Sequence, residues 1–115
     1  MEKLPHCHSE KTIEKMPKTE DFLAISDTFK LLSDSTRVKL FWLLCHTEEC
    51  VINISAIMKM SSPAVAHHLK MLKAVGLIRA RREGKEMFYS VANNEKAKML
   101  HQIIESVEKI SCPNK

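Results

Sequence analysis

The chain has 115 residues, of which 44% are hydrophobic, and it carries a formal net charge of +4. This length supports one ordinary hydrophobic core and excludes a core plus an independent second domain. No stretch reaches the roughly 18 apolar residues of a membrane span, and the polar N-terminus does not look like a signal peptide, so we expect a cytoplasmic protein with no membrane partner.

A polar arm and an amphipathic helix are the first two predicted elements. Residues 1–19 carry Pro5 and Pro17 and show no helical or strand period, so we predict a mobile arm before a domain spanning residues 20–112. From Glu20 onward, apolar residues recur at spacings of three and four, which predicts a helix whose apolar face must pack against something. The apolar residues of this face are Phe22, Ile25, Phe29 and Leu32.

The next two predicted helices complete the first half of the domain. Ser33, Asp34 and Ser35 have short polar side chains that favour a helix start, and the second helix should run from there to about Cys45. Its apolar residues cover most of its circumference, as expected for a central helix. A short third helix is predicted over residues 53–59. Its inward-facing residues should be Ile54, Ile57 and Met58.

The fourth predicted helix has a clear start signal. Ser62 is a favourable N-cap, and Pro63 fits the first helical turn, where its missing N–H costs nothing, so we predict a helix from there to about Lys73. Two helices joined by a tight polar turn, the second carrying small and polar residues, are typical of a helix-turn-helix that reads the DNA major groove. The buried stripe of the fourth helix should consist of Val65, Leu69 and Leu72.

A β-hairpin with a basic tip is predicted to follow. Gly76 ends the helix, residues 77–82 and 85–91 have strand-like composition, and Gly84 supplies the turn. Lysine and arginine crowd into residues 70–85 against a single acid, which indicates a surface for a polyanion. The alternative is a solvated helix face followed by a solvated hairpin. The position of the hairpin directly after the fourth helix favours a wing that contacts phosphates or a minor groove.

A final helix is predicted from Asn93 to about Ser111, and its apolar stripe is larger than an uncovered edge helix needs. The predicted fold is therefore mainly α with a β-hairpin (α+β), a winged helix-turn-helix with the element order α-α-α-α-β-β-α. The stripe of the final helix consists of Ala97, Leu100, Ile104 and Val107.

The predicted DNA contacts come from the fourth helix and the hairpin. Ser61 and Ser62 can bond a phosphate or a base edge, and Ala64 is small enough to let the helix approach thymine methyl groups. Adjacent helix residues point about 100 degrees apart, so only one of His67 and His68 can face the groove, and we expect it to be His67. The full predicted set is Ser61, Ser62, Pro63, Ala64, His67, His68, Lys70, Arg79, Arg81, Arg82 and Lys85.

Three segments, residues 29–37, 62–72 and 76–89, resemble one known family in the right order and at the right distances. From about Glu20 to Cys112 the chain is similar to the ArsR/SmtB family of metal- and redox-responsive transcriptional repressors. The resemblance implies a homodimer built by the first and last helices, which the two apolar stripes independently favour. A dimer of this kind should bind an inverted-repeat operator in double-stranded DNA.

The resemblance also implies a metal site between the N-terminal arm and the start of the third helix. Cys50 lies where the family's strongest sensors begin the sequence Cys-Val-Cys-Asp, while Ile52 and Asn53 replace two ligands. Thiolate and imidazole ligands suit zinc, cadmium, lead or copper(I), so we predict such an ion as an inducer that folding does not require. The alternative is an incidental arm and a Cys50 that is only a small buried residue. The arm would contribute His6, Cys7 and His8.

A second metal site, which the resemblance implies for the last helix, is predicted to be absent. It falls near Asn93, Glu95, Ser106 and Lys109. Asparagine and serine are poor ligands, and the lysine would repel a cation. His101 lies elsewhere on that helix.

Thiol chemistry competes with metal sensing. The chain has enough apolar residues to fold without disulfides, so its cysteines are available for other uses. The resemblance implies a persulfide- or oxidant-responsive repressor in which Cys112 pairs with Cys45 or Cys50. A structural zinc knuckle of Cys45, His46 and Cys50 is a third use of the same residues.

Two other protein classes are alternatives to a DNA-binding regulator. An enzyme is not expected, because the sequence contains no Ser/His/Asp set, Gly-rich phosphate loop or clustered carboxylate pair. A winged-helix module that binds a protein partner is the other alternative. The basic hairpin and the capped polar helix argue against it.

Overall fold

The computed structural model describes residues 10–109, which form six helices and a three-stranded sheet. Every helix in this range is too short or too polar to cross a membrane. The helices are α1 (Glu10–Glu14), α2 (Thr19–Leu31), α3 (Ser35–His46), α4 (Val51–Met58), α5 (Ser62–Ala74) and α6 (Glu95–Val107). The strands are β1 (Glu49–Cys50), β2 (Ile78–Glu83) and β3 (Glu86–Val91). The predicted class, mainly α with a β-hairpin, is confirmed.

The hydrophobic core is built mainly by α3 and α5, and α4 adds one fully buried residue to it. Phe41 on α3 and Ile54 on α4 are fully buried. The predicted stripe of α5 is confirmed, because Val65, Leu69 and Leu72 are each at most 1% exposed. Burying a side chain of this size stabilises the fold by about 1.5–3 kcal/mol. These three helices are therefore held together by a core that a single chain supplies.

Side-chain caps determine where α3 and α5 begin. The Asp34 carboxylate accepts a hydrogen bond from the Arg37 backbone N–H at 3.0 Å. At α5, the Ser61 hydroxyl accepts from the Ala64 backbone N–H at 3.3 Å. The prediction that Ser62 is the cap was wrong by one residue. Either serine can cap a helix, and proline tolerates both the first and the second helical position.

The turn between α4 and α5 is tight and contains a left-handed residue. Lys59 ends α4 with φ of +56°, a conformation that glycine or asparagine usually takes at a helix end. Ile57 was predicted to face inward but is 47% exposed. Helix α4 has only about two turns and contacts the core through a narrow stripe. This stripe consists of buried Ile54 and half-buried Met58, which are four residues apart, and Ile57 lies beside it.

The sheet has one strand more than the predicted hairpin. β1 pairs antiparallel with β3, with Glu49 opposite Tyr89 and Cys50 opposite Phe88, so the strand order is β1-β3-β2. Two residues are too few to show an alternating pattern, which is why the sequence did not indicate this strand. The predicted turn is confirmed, since Gly84 has φ of +62° and opens a two-residue loop.

Much of the apolar surface of α2 is uncovered. Its predicted apolar face was expected to pack, yet Phe22, Ile25 and Phe29 are 45%, 48% and 61% exposed. Only Thr28 and Leu31 of this helix are buried. The apolar face exists as predicted, but the described part of the chain does not cover it.

Helix α6 also combines a buried half with an exposed half. The Asn94 side chain caps it by accepting a hydrogen bond from the Ala97 backbone N–H at 2.8 Å. Ala97 and Leu100 are buried and Ile104 is half-buried, as predicted. Val107, the last residue of the predicted apolar stripe, is 71% exposed, because the buried residues of α6 lie in its first half. The predicted helix end near residue 111 lies outside the described residues.

Within the predicted arm, residues 10–14 form the short helix α1, where no regular structure was predicted. None of its residues is buried, so no apolar period marked it in the sequence. The first nine residues of the arm lie outside the described range.

Candidate nucleic-acid interface

The first turn of α5 is one exposed part of the helix-turn-helix. Ser61, Ser62 and Pro63 are exposed, and Ala64 is half-buried. The hydroxyl oxygens of Ser62 and Ser55 lie 3.1 Å apart, and this hydrogen bond joins α5 to α4 at the turn. A first turn made of small and polar residues lets a helix approach a phosphate or a base edge closely.

The two adjacent histidines of α5 have different surroundings. His67 is exposed, whereas His68 is half-buried and its Nδ1 lies 3.5 Å from Nη1 of Arg37. Burial of the ring and the nearby charge of Arg37 hold the pKa of His68 below its ordinary value. Arg37 is itself fixed, because its Nε donates to the Leu31 carbonyl at 2.8 Å. The contact of either histidine with DNA stays a prediction.

Exposed cations lie on α5 and on the wing, the name used below for residues 78–91. Lys70, Arg82 and Lys85 are exposed and form no ion pair with another residue in the range 10–109. Arg79 is also exposed, and its Nε donates to the Ser90 hydroxyl at 3.3 Å. Exposed cations of this kind can neutralise phosphates and release counterions.

Arg81 is held differently from the other cations of the wing. Its Nη2 lies 2.7 Å from Oε1 of Glu48 and its Nη1 lies 2.9 Å from Oε2 of Glu83. Its guanidinium also lies over the Phe88 ring, 5.0 Å from the centroid. The hydrogen bond from Arg81 lowers the pKa of Glu48, and the carboxylates of Glu48 and Glu83 raise the pKa of Arg81. Because Glu48 directly precedes β1, this network braces the wing, a role that the sequence did not indicate.

Comparison with known proteins gives the family. A family model described as "Bacterial regulatory protein, arsR family" matches residues 34–80. The chain is 34% identical over 89 residues to the cadmium resistance transcriptional regulatory protein CadC of Listeria innocua serovar 6a, and the match covers 75% of each protein. The chain belongs to the ArsR/SmtB family of transcriptional regulators. This membership confirms the predicted resemblance and the prediction of a regulator rather than an enzyme.

A second relative and a solved structure agree with membership of the ArsR/SmtB family. The chain is 28% identical over 115 residues to a transcriptional repressor SmtB homolog of Synechocystis, covering 93% of this chain and 87% of that protein. It is also similar to the homodimeric winged helix-turn-helix DNA-binding domain of a possible ArsR-family regulator from Mycobacterium bovis. That match has a TM-score of 0.70 and 26% identity, and it covers 83% of this chain and 89% of that one. The predicted winged helix-turn-helix fold is confirmed.

The cysteines predicted to sense a signal in this ArsR/SmtB protein are described only in part. Cys50 is 8% exposed and precedes the first residue of α4, and Cys45 is half-buried on α3. These two cysteines are not bonded to each other. The arm site and the redox pair stay predictions, because their remaining members lie outside the described residues. Those members are His6, Cys7, His8 and Cys112.

The structure brings together three potential ligands that the sequence analysis did not combine. Nε2 of His46 on α3 and Nε2 of His101 on α6 lie 3.1 Å apart, and they lie 3.2 Å and 3.0 Å from Oε2 of Glu105. The Trp42 indole N–H donates to the same oxygen at 3.2 Å. Burial by itself would raise the pKa of Glu105, but the hydrogen bonds from His101 and Trp42 outweigh it and hold that pKa below its ordinary value.

Part of this cluster had a signal in the sequence. His101 and Glu105 are four residues apart, the spacing that places two side chains on one face of a helix. Nothing in the sequence indicated that His46 would join this pair, because its position depends on how α3 and α6 pack. Among residues 10–109, no other three histidine, cysteine or acidic side chains converge in this way. The four positions at which a second metal site was predicted to be absent take no part in the cluster.

Proposed function

We propose that the chain represses transcription by binding an inverted-repeat operator as a homodimer, and that a soft or borderline metal ion releases it. In each protomer α5 enters the major groove and the wing contacts the DNA backbone. The observation that carries this proposal is the small, polar and exposed first turn of α5. The opposite side of α5 carries a fully buried apolar stripe, which holds the helix in the domain.

Two sets of side chains have different roles at the DNA. Residues 61–64 and His67 offer hydroxyl groups, a small side chain and one imidazole to base edges and phosphates. Lys70, Arg82 and Lys85 offer positive charge to phosphates, since none of them forms an ion pair within residues 10–109. We assign Arg81 mainly to bracing the wing, because two carboxylates already hold its guanidinium.

The exposed apolar faces of α2 and α6 support the homodimer. Ile25 and Phe29 of α2 and Met99 and Ile103 of α6 line one groove of about 410 Å³. All four side chains are between 45% and 61% exposed. Large contiguous apolar surfaces of this kind mark protein interfaces. The related domain from Mycobacterium bovis is homodimeric by its description.

A metal inducer is supported by the relatives and by one residue of this chain. The Listeria relative is named as a cadmium resistance regulator. Cys50 lies at the junction of β1 and α4, the helix whose turn positions α5. A thiolate ligand at this junction, combined with His6, Cys7 and His8, would couple metal binding to the position of the recognition helix.

Mobility shifts at increasing salt test the DNA-binding part of the proposal. The full chain should bind the DNA upstream of its own gene more tightly than unrelated DNA, and the affinity should fall steeply between about 50 and 200 mM salt. Lys70→Ala should weaken binding, whereas Lys98→Ala, which removes the same charge from an exposed position on α6, should leave it near the parent value. Equal affinity for both DNAs would refute operator recognition.

Release from the operator tests the inducer. Zinc, cadmium and lead are titrated into the reduced protein–DNA complex while fluorescence anisotropy follows dissociation. Cys7→Ser and Cys50→Ser should each blunt the response, and Cys45→Ser is the matched thiol control. Metal-driven release that survives both of the first two substitutions would exclude the arm site. Release only by an oxidant or persulfide, with Cys112 required, would replace the metal by a redox signal.

A further inference from the structure

We propose that His46, His101 and Glu105 bind one divalent transition-metal ion of the zinc class. The three residues come from α3 and α6 of a single chain, and none belongs to the predicted arm site. The site is therefore separate from the proposed inducer site, and the inference does not depend on that site or on DNA binding.

The geometry of the three ligand atoms fits a metal ion. They form a nearly equilateral triangle with sides of 3.0, 3.1 and 3.2 Å. With metal–ligand bonds of about 2.0–2.1 Å, adjacent ligands of a tetrahedral or octahedral ion lie roughly 3.0–3.4 Å apart. An ion placed off the plane of this triangle would reach all three atoms with little movement of the side chains.

Hydrogen bonds alone do not satisfy all three contacts among these ligand atoms. Each imidazole Nε2 has one in-plane direction, which holds either a hydrogen or a lone pair. If both rings donate to Glu105, two N–H groups face each other where His46 and His101 meet. If one ring accepts there instead, its lone pair faces the carboxylate. A bound cation satisfies all three atoms at once, because both nitrogens and the oxygen can then donate an electron pair to it.

The donor set and its surroundings indicate which ion fits. Two imidazole nitrogens and one carboxylate oxygen suit zinc, cobalt(II) or nickel(II) better than a soft ion that prefers sulfur. The side chains of His46, Glu105 and His101 are 7%, 14% and 22% exposed, so the cluster is sheltered but keeps some contact with solvent. The hydrogen bond from Trp42 orients the carboxylate, as partners of metal ligands usually do.

Zinc titration of metal-free, full-length protein tests the site. The arm ligands are first replaced by His6→Ala, Cys7→Ser and His8→Ala, so that they do not compete. Calorimetry should then show one zinc ion bound per chain. Trp42 is the sole tryptophan and donates to Glu105, so its fluorescence should change with the same stoichiometry.

Substitutions of the ligands decide whether this cluster holds the ion. Glu105→Gln keeps the shape of the side chain and an oxygen for Trp42 but removes the charge, and it should weaken zinc binding on the order of tenfold or more. His101→Ala should do the same, and if it fails to fold, Glu105→Gln decides alone. His67→Ala removes an exposed imidazole from α5 and should bind zinc like the parent. No stoichiometric zinc binding, or unchanged affinity in the ligand variants, would overturn the proposal.

Discussion

The unit formed by α3, α4 and α5 and the pair α2 and α6 differ in where their largest apolar side chains lie. In the three-helix unit, Phe41, Ile54 and Leu72 are 0% exposed. In the helix pair, Phe29 and Met99 are 61% and 58% exposed and line a common groove. The DNA-reading unit is thus completed within one chain, whereas the groove is the surface that our proposal assigns to a second copy.

A core substitution should have the largest effect on folding. Leu72→Ala removes a fully buried side chain from α5 and should lower the free energy of unfolding by about 2–5 kcal/mol. The loss should be the same at every protein concentration, because the contacts lie within one protomer. Leu23→Ala is the matched control, with the same substitution at a residue that is 58% exposed on α2. Urea denaturation measures both variants. A smaller loss of unfolding free energy for Leu72→Ala than for Leu23→Ala would contradict the assignment of the core to the three-helix unit.

A charge in the groove should separate dimer formation from folding. Phe29→Glu places a carboxylate in the apolar surface and should weaken the dimer on the order of 100-fold, as loss of a central interface residue does. Sedimentation equilibrium measures the change, and circular dichroism should still show a helical protein. Ile52→Glu adds the same charge at a residue that is 64% exposed on α4 and should leave the dimer intact. Equal behaviour of the two variants would mean that the groove is not the interface.

The wing allows a comparison of two neighbouring arginines. Arg82→Ala should lower the slope of log affinity against log salt by about 1, as loss of one phosphate contact does. Arg81→Ala changes the net charge equally, but its guanidinium is already paired with Glu48 and Glu83, so the slope should change less. Anisotropy titrations at several salt concentrations measure both variants. A larger change in slope for Arg81→Ala would show that the brace opens on DNA.

The smallest expected effect is the pH dependence contributed by His68. Burial and the charge of Arg37 lower its pKa in the folded state, so the unfolded chain binds the proton more readily. The stabilisation is therefore complete above the unfolded pKa of about 6.5 and is lost as the pH falls below it. His68→Gln should reduce the loss of stability between neutral and mildly acidic pH, with His67→Gln as the control. An unchanged pH response in His68→Gln would exclude this contribution.

The sequence predicted features that local chemistry determines. The stripe of Val65, Leu69 and Leu72 follows from helical spacing, and the turn at Gly84 follows from the conformation that glycine permits. Features that depend on distant partners were missed. The strand β1 is defined by pairing with β3, and the brace on Arg81 depends on Glu48, which lies 33 residues away. The exposed faces of α2 and α6 were predicted as apolar, but a helical period does not say which chain covers them.

Selection of DNA from a random pool tests the central claim most directly, because the pool contains every candidate operator and the protein itself chooses among them. If two copies joined through α2 and α6 present two α5 helices, the enriched sequences should be inverted repeats. Their half-sites should be centred about one helical turn of DNA, or a multiple of it, apart. Each duplex should bind two chains, and Phe29→Glu should abolish the enrichment. Enrichment of single, unpaired sites bound by one chain would contradict the account.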